Sequence, residues 1–125
     1  MSTLRVGIAT YEEMKAMTMA VARRRRRLTA ADPKVWFLST ESFARVLTAS
    51  NRELLRVIAE KAPGSLEEMA ELTGRKKPNL SRTLKTMERY GLVRLERGER
   101  SRLIATTEYD RIELVLPLTT VSHAA

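Results

Sequence analysis

The segment from Lys77 to Gly91 constrains the fold most, because winding it as an α-helix separates it into two unlike faces. At 100° per residue the apolar side chains fall within about 60° of one another, and they are Leu80, Leu84 and Met87. The opposite side carries a proline and three basic residues, Pro78, Arg82, Lys85 and Arg89. Proline suits a first helical turn and glycine a helix end. The pattern predicts a helix over about 77–90 with one buried face and one basic, exposed face.

A shorter helix is predicted just before it. Ser65 and Glu68 are spaced as a capping box, in which the serine hydroxyl accepts from the N–H three residues on and the glutamate reaches back. Its apolar stripe is Leu66, Met69, Ala70 and Leu72, and Thr73-Gly74 ends it. An earlier helix over about 51–61 has the inner face Leu54, Leu55, Val57 and Ile58, and Pro63-Gly64 follows it. Two helices joined by a short glycine-containing turn, the second basic outside, describe a helix-turn-helix unit.

A hairpin is predicted after the basic helix. Residues 92–96 and 102–107 have strand character around the turn Arg97-Gly98-Glu99-Arg100. A hairpin in this place completes a wing, whose tip carries Arg97, Arg100 and Arg102. The expected fold class is therefore α+β, with a winged helix-turn-helix over residues 48–109.

The flanking segments predict a short extension on each side. Leu4, Val6 and Ile8 alternate as in a strand, and Tyr11, Met14, Met17, Thr18 and Val21 recur at helical spacing after the N-cap candidate Thr10. After Pro33, an apolar strand over 35–38 and a short helix over 41–47 capped by Thr40 are expected. Alternation of Ile112, Leu114, Leu116 and Leu118 predicts a last strand that ends at, or lies on, an edge near Pro117. We therefore expect a strand-helix-strand extension at 1–47 and a strand with a tail at 110–125.

The charge distribution points to a polyanionic partner. Lys and Arg number 23 against 15 Asp and Glu, which gives a net charge of +8. The segment from Arg75 to Arg102 is strongly basic, whereas the segment from Glu53 to Glu71 is acidic. The alternative is that the basic residues form only a solvated face.

The inventory of reactive residues argues against an enzyme. There is no cysteine and one histidine, His123, and no Walker loop, dinucleotide-binding glycine pattern or histidine pair occurs. We expect no catalytic residue, no metal and no cofactor. No stretch approaches the ~20 apolar residues of a membrane span, and Met1 to Ala9 lacks a secretory signal pattern. A cytoplasmic location without membrane contact is expected.

Three runs carry a resemblance to a known family. Leu66 to Gly74, Asn79 to Lys85, and Glu88 to Val93 resemble the winged-helix core of MarR-like transcriptional regulators, over about half of the chain. The flanks at 35–48 and 109–112 are similar to a group of small predicted prokaryotic regulators, some of which are antitoxins encoded beside a toxin. The chain lacks the long terminal helices through which typical MarR proteins dimerise, so neither that dimer geometry nor their ligand pocket carries over.

These observations predict a regulator, a repressor above all, that inserts helix 77–90 into the major groove of double-stranded DNA as a homodimer. The candidates for base reading are Asn79, Ser81 and Arg82. Candidates for backbone contacts are Arg75, Lys76, Lys77 and Lys85, with Arg97, Arg100 and Arg102 from the wing. Asn79 has the alternative role of a helix cap, and Ser81 of a rim residue. The alternative function is an antitoxin or adaptor that grips a partner protein through its flanks and represses its own operon.

The run Arg23, Arg24, Arg25, Arg26 and Arg27 has no single face on a helix. Three roles are open for it: a second contact to the DNA backbone, a site for an acidic protein, or a solvated helix terminus.

Overall fold

The computed structural model describes residues 2–25, 27–29 and 31–119. In chain order the elements are β1 (Thr3–Ile8), α1 (Tyr11–Ala22), β2 (Val35–Phe37), α2 (Thr40–Val46), α3 (Ala49–Lys61), α4 (Leu66–Thr73), α5 (Lys77–Arg89), β3 (Arg94–Arg97), β4 (Leu103–Thr106) and β5 (Arg111–Val115). A 3₁₀ turn, Glu99–Ser101, lies between β3 and β4. The expected α+β fold is confirmed. Within the described ranges no helix is both long and apolar enough to cross a bilayer.

The two flanks of the chain join in one sheet. β1 is the central strand and pairs in parallel with both β2 and β5, so that Val6 lies beside Val35 on one side and Leu114 on the other. Parallel neighbours need long crossover connections, and here α1 makes the first while α2 to β4 make the second. The strands predicted in the N-terminal extension and at the C-terminal end therefore form a single three-stranded layer.

One face of this sheet packs against the helices. Leu4 and Val6 are buried there because side chains alternate along a strand. Phe37 of β2 is 1% exposed, and its ring stacks on Tyr90 with centroids 4.3 Å apart. The ring of Phe43 in α2 packs edge-on against the ring of Phe37, with centroids 5.3 Å apart. The sheet and the helices thus share one hydrophobic core.

The opposite face of the sheet is polar around Arg5 and apolar around Gly7, whose register partners are Trp36 and Val115. Arg5 and Glu113 are partners in register and form an ion pair at 3.3 Å, while Arg111 lies 3.7 Å from the same carboxyl group. Beside them Trp36 lies across Gly7, where a Cβ atom would come within 2.3 Å of the indole ring. The absence of a side chain at residue 7 is what lets the indole lie against the sheet.

The helix caps follow the sequence with two corrections. Ser65 Oγ accepts from Glu68 N at 3.1 Å as predicted, but the Glu68 carboxylate accepts from Gly64 N, not from Ser65 N. Thr40 was the wrong cap for α2, because Ser39 accepts from the backbone of Ser42 at 3.0 Å and the helix starts one residue earlier.

The last strand is shorter than the predicted one, and α1 ends before the arginine run. β5 ends at Val115, and Leu118 is 97% exposed, because Pro117 has no N–H with which to continue a ladder. α1 begins at the predicted cap Thr10, where the N–H of Thr10 donates to the Glu13 carboxylate and lowers its pKa. It ends at Ala22, before the arginine run, and Arg24 takes a left-handed φ of 58°.

The contact between Gly7 and Trp36 predicts the effect of a single methyl group. Gly7→Ala should lower the free energy of unfolding by about 1–3 kcal/mol, because the indole must move off the sheet. Trp36 is the only tryptophan, so urea unfolding followed by its fluorescence reports both stability and displacement. Gly64→Ala is the matched control, since no atom lies within 4 Å of its added Cβ position. Equal midpoints for the two variants would contradict the contact.

Candidate nucleic-acid interface

The two faces predicted for α5 are confirmed. Leu80, Leu84 and Met87 are each 0% exposed and fill the core. The residues on the other side are all exposed, and they are Pro78, Arg82, Lys85 and Arg89. The sequence folds this way because α4 packs against α5 and the apolar stripe of α5 enters the core shared with α3, which leaves the basic stripe uncovered.

The basic side chains around α5 differ in whether they have an ion-pair partner. Arg82 and Lys85 are exposed and their side chains make no ion pair within the described part of the chain, and the same holds for Lys76. Lys77 instead lies 3.4 Å from the Glu67 carboxylate of α4. The pKa of Glu67 is lowered, first by a hydrogen bond from its own backbone N–H and then by Lys77. Ser81 is half-buried beside Arg82.

Arg75 lies in the turn between α4 and α5 and holds three polar side chains. Its Nε donates to Asn79 Oδ1 at 2.8 Å and its Nη2 to Thr83 Oγ1 at 2.8 Å, both on α5. Its Nη1 donates to Asn51 Oδ1 at 3.0 Å on α3. Asn51 in turn donates from Nδ2 to the carbonyl of Val46 at the end of α2. The guanidinium therefore joins α3 to the exposed side of α5.

This network uses hydrogen-bonding groups of Arg75 and Asn79 that would otherwise be available to a ligand. The donors of Arg75 are directed at protein oxygens, so its side chain is half-buried and is not a free phosphate contact in this arrangement. Asn79 already uses Oδ1, and a two-pronged contact to adenine needs both the oxygen and the amide nitrogen. Asn79 does not cap α5 either, because that helix has no side-chain cap. Asn51 and Thr83 were not identified from the sequence, since a partnership across 24 residues leaves no periodic signal.

The hairpin places three arginines near its turn. Arg97 donates from Nη1 to the carbonyl of Ser101 at 3.0 Å, which ties it to the turn. Arg100 and Arg102 are exposed, and Arg100 has a left-handed φ of 55°. Gly98 passes close to Ile104, whose Cδ1 would be 2.5 Å from an added Cβ. Only two of the three predicted arginines are therefore free at this turn.

The arginine run lies apart from α5. Arg23, Arg24, Arg25 and Arg27 are exposed and follow α1, which makes no extensive contact with α5. Arg26 lies outside the described residues. Arg23, Arg24, Arg25 and Arg27 therefore belong to the connection between α1 and β2 and not to the basic face of α5.

A groove of about 710 Å³ lies between α3 and β5. Its lining is mainly apolar and includes Leu55, Leu92, Ile112 and Leu114. Tyr109 borders it, and burial raises the pKa of its hydroxyl, with the neighbouring Glu108 adding to the shift. The sequence did not indicate this groove, because its walls come from distant segments.

Comparison with known proteins gives one family. The family model described as HVO_A0114 matches residues 46–114, which is more than half of the chain, and the chain belongs to this family. The match runs from the end of α2 through β5, so it includes α3 to α5, the hairpin and one strand of the parallel sheet. No curated protein and no solved structure matches. Across the described ranges, no group of three or more His, Asp or Glu side chains is placed to hold a metal ion.

The Arg75 network predicts that lysine cannot replace this arginine. Arg75→Lys should lower the free energy of unfolding by about 1–3 kcal/mol, because one ammonium cannot reach Asn51, Asn79 and Thr83 in the plane of a guanidinium. Lys76→Ala is the neighbouring control, since Lys76 is exposed and makes no side-chain contact that the substitution would break. Denaturant titration of both variants measures the difference. If Arg75→Lys matched Lys76→Ala, the network would not be a stabilising one.

Proposed function

We propose that α3, α4, α5 and the hairpin β3–β4 form a winged helix-turn-helix, and that the chain is a sequence-specific regulator of transcription that represses by binding double-stranded DNA. The observation that carries the proposal is α5 itself. Its apolar stripe is fully buried and its basic stripe is fully uncovered. A helix held in this way can enter the major groove without any loss of core packing.

The distribution of charge favours one approach of DNA to this surface. Lys85 lies on the exposed stripe of α5, Lys76 directly precedes the helix, and Arg100 and Arg102 lie at the hairpin. The first turn of α5 has no side-chain cap, so its N–H groups and helix dipole favour a phosphate beside Lys76. The exposed carboxylates of α4 repel the backbone, and they are Glu67, Glu68 and Glu71. The duplex therefore meets α5 and the hairpin, which supply affinity through counterion release.

Base reading falls mainly to Arg82. A free guanidinium on the outer stripe of α5 matches the O6 and N7 acceptors of guanine. Ser81 supplements it at the rim, and Asn79 presents its amide N–H₂ while Arg75 holds its oxygen. Arg75 acts in this scheme as a positioning residue, which sets the angle of α5 against α3.

The assignments of Arg82 and Lys85 predict different defects. A duplex selected from a random-sequence pool serves as the specific probe, and a scrambled duplex as the nonspecific one. Arg82→Ala should weaken specific binding by about 1–3 kcal/mol and relax one base position. Lys85→Ala should weaken both probes alike and reduce the slope of log K against log salt by about 0.9.

Lys34→Ala controls for the simple loss of one positive charge, because Lys34 is exposed and precedes β2 on the sheet side. It should leave both the affinity ratio and the salt slope at the wild-type values. If Arg82→Ala kept the wild-type ratio between the affinities for the specific and the scrambled duplex, the base-reading role would be contradicted. Failure of the wild-type chain to enrich any sequence would contradict sequence-specific DNA binding as a whole.

An adaptor or antitoxin function has one observation in its favour. Among the described large apolar residues that are exposed, all but Leu72 lie outside α2 to β4, and they are Tyr11, Met19, Leu28, Leu38, Val115, Leu116 and Leu118. These side chains belong to the segments that flank α2 to β4, and contiguous exposed apolar patches mark protein contacts. Co-expression with the protein encoded by the adjacent gene tests this function. A stable complex that survives purification favours it, and separate elution counts against it.

A further inference from the structure

The helix α1 is only shallowly buried although its sequence is apolar. From Ala16 to Ala22 it has no charged residue, and Thr18 is the only polar one. Yet α1 has no buried residue. A helix on the surface of a monomer normally turns a charged face to water. After the exposed Lys15, α1 is instead uncharged on both sides over its last two turns.

The side of α1 that faces the rest of the chain uses only some of these apolar residues. Met14, Met17 and Val21 lie on one stripe and are half-buried. On the opposite side Glu12, Ala16, Met19 and Arg23 are all exposed, and at 100° per residue they fall within about 60° of one another. Met19 is 41% exposed. The backbone of Arg23 continues the helix by donating to the carbonyl of Met19 at 2.9 Å. The outer stripe therefore runs from an acid, over a small and a large apolar residue, to a base.

We infer that this outer stripe, Glu12-Ala16-Met19-Arg23, binds the same stripe of a second copy of the chain in antiparallel orientation. Rotation about a two-fold axis between Ala16 and Met19 places Glu12 opposite Arg23 of the second copy, and the reverse pair forms by symmetry. Met19 then lies against Ala16 of the second copy, where the small side chain lets the helices approach. The spacing of the stripe, four, three and four residues, is the spacing at which two helices pack along a seam.

The charges of α1 favour an antiparallel pair of helices, and they favour a second copy of the chain as the partner. A parallel pair would place the two arginine runs together, with Arg23, Arg24 and Arg25 of each copy adjacent and no acid to offset them. The antiparallel pair sets the acidic first turn of each helix, Glu12 and Glu13, against the basic end of the other. Within the described ranges neither Glu12 nor Arg23 has an ion-pair partner of its own, so each is available to the second copy. The stripe is complementary to itself, as a two-fold interface requires.

This contact deepens the proposed function, since it supplies the homodimer that would present two copies of α5 to one duplex. The contact itself rests on α1 alone. Its test therefore uses the full chain without DNA, in sedimentation velocity runs over a series of protein concentrations.

Charge reversal tests the pairing. Glu12→Lys alone and Arg23→Glu alone should each raise the dissociation constant of the dimer about tenfold or more, because two symmetry-related pairs become repulsive at once. The double variant with both reversals should return to within about threefold of the wild type, since the pairs re-form with exchanged signs. The wild-type dimer should also weaken as salt is added.

Glu41→Lys is the matched control, because it reverses an exposed acid in the first turn of α2 and should leave the dissociation constant unchanged. Thermal unfolding shows whether each variant folds, and Met19→Lys gives an independent way to break the seam from its centre. A wild-type chain that stays monomeric at all concentrations overturns the contact. So does a dimer that tolerates Glu12→Lys and Met19→Lys, or a double variant that stays dissociated.

Binding to a duplex with a single half-site separates this inference from the proposed function. Monomeric variants that still bind a half-site with the specificity of the wild type would support both. A dimer that binds no DNA would leave the contact standing and contradict the proposed function.

Discussion

The packing of Phe37 holds the three-stranded sheet against the helices. The ring lies at the end of β2, fully enclosed, with Tyr90 stacked on one side and Phe43 against its edge. Tyr90 directly follows α5, so the parallel sheet contacts the end of the helix that carries the exposed basic stripe. Because a buried aromatic ring removes a large apolar area from water and packs with fixed geometry, the sheet and α5 have one relative position.

How much of this follows from the sequence depends on the range of the interactions. The faces of α5 were predictable because Leu80, Leu84 and Met87 repeat at the helical period, and burial obeys that period directly. The join between β1 and β5 was not predictable, since it depends on pairing across about a hundred residues and a parallel strand gives no turn signal. The Arg75 network was missed for the same reason. Its partners Asn51 and Thr83 are ordinary polar residues in the sequence, and only folding brings them to one guanidinium.

Arg75 also shows why a count of positive charges is a poor guide to a nucleic-acid surface. The strongly basic segment from Arg75 to Arg102 contains cations in three different situations. Arg75 and Arg97 are committed to oxygens of the protein, and Lys77 lies beside a carboxylate. Arg82 and Lys85 keep their donors for a ligand. Charges that are already paired contribute less to an electrostatic attraction than free ones, so the effective surface is narrower and better aligned with α5 than the sequence implies.

The connection of α1 to this core affects where a dimer formed through α1 would place its two α5 helices. Two residues, Ala9 and Thr10, join α1 to the central strand β1, and the N–H of Ala9 donates to the carbonyl of Phe37 at 2.9 Å. The path from α1 through Phe37 to Tyr90 therefore contains packed or hydrogen-bonded groups and no long flexible linker. If two copies meet along α1 as inferred, the two-residue join between β1 and α1 limits the separations that their α5 helices can take. A fixed separation restricts binding to half-sites at one spacing on the duplex, about one or more helical turns apart. Under the proposed function, sequence selection would then come from the geometry of the sheet as well as from the side chains of α5, and the parallel strands would take part in recognition without touching the duplex.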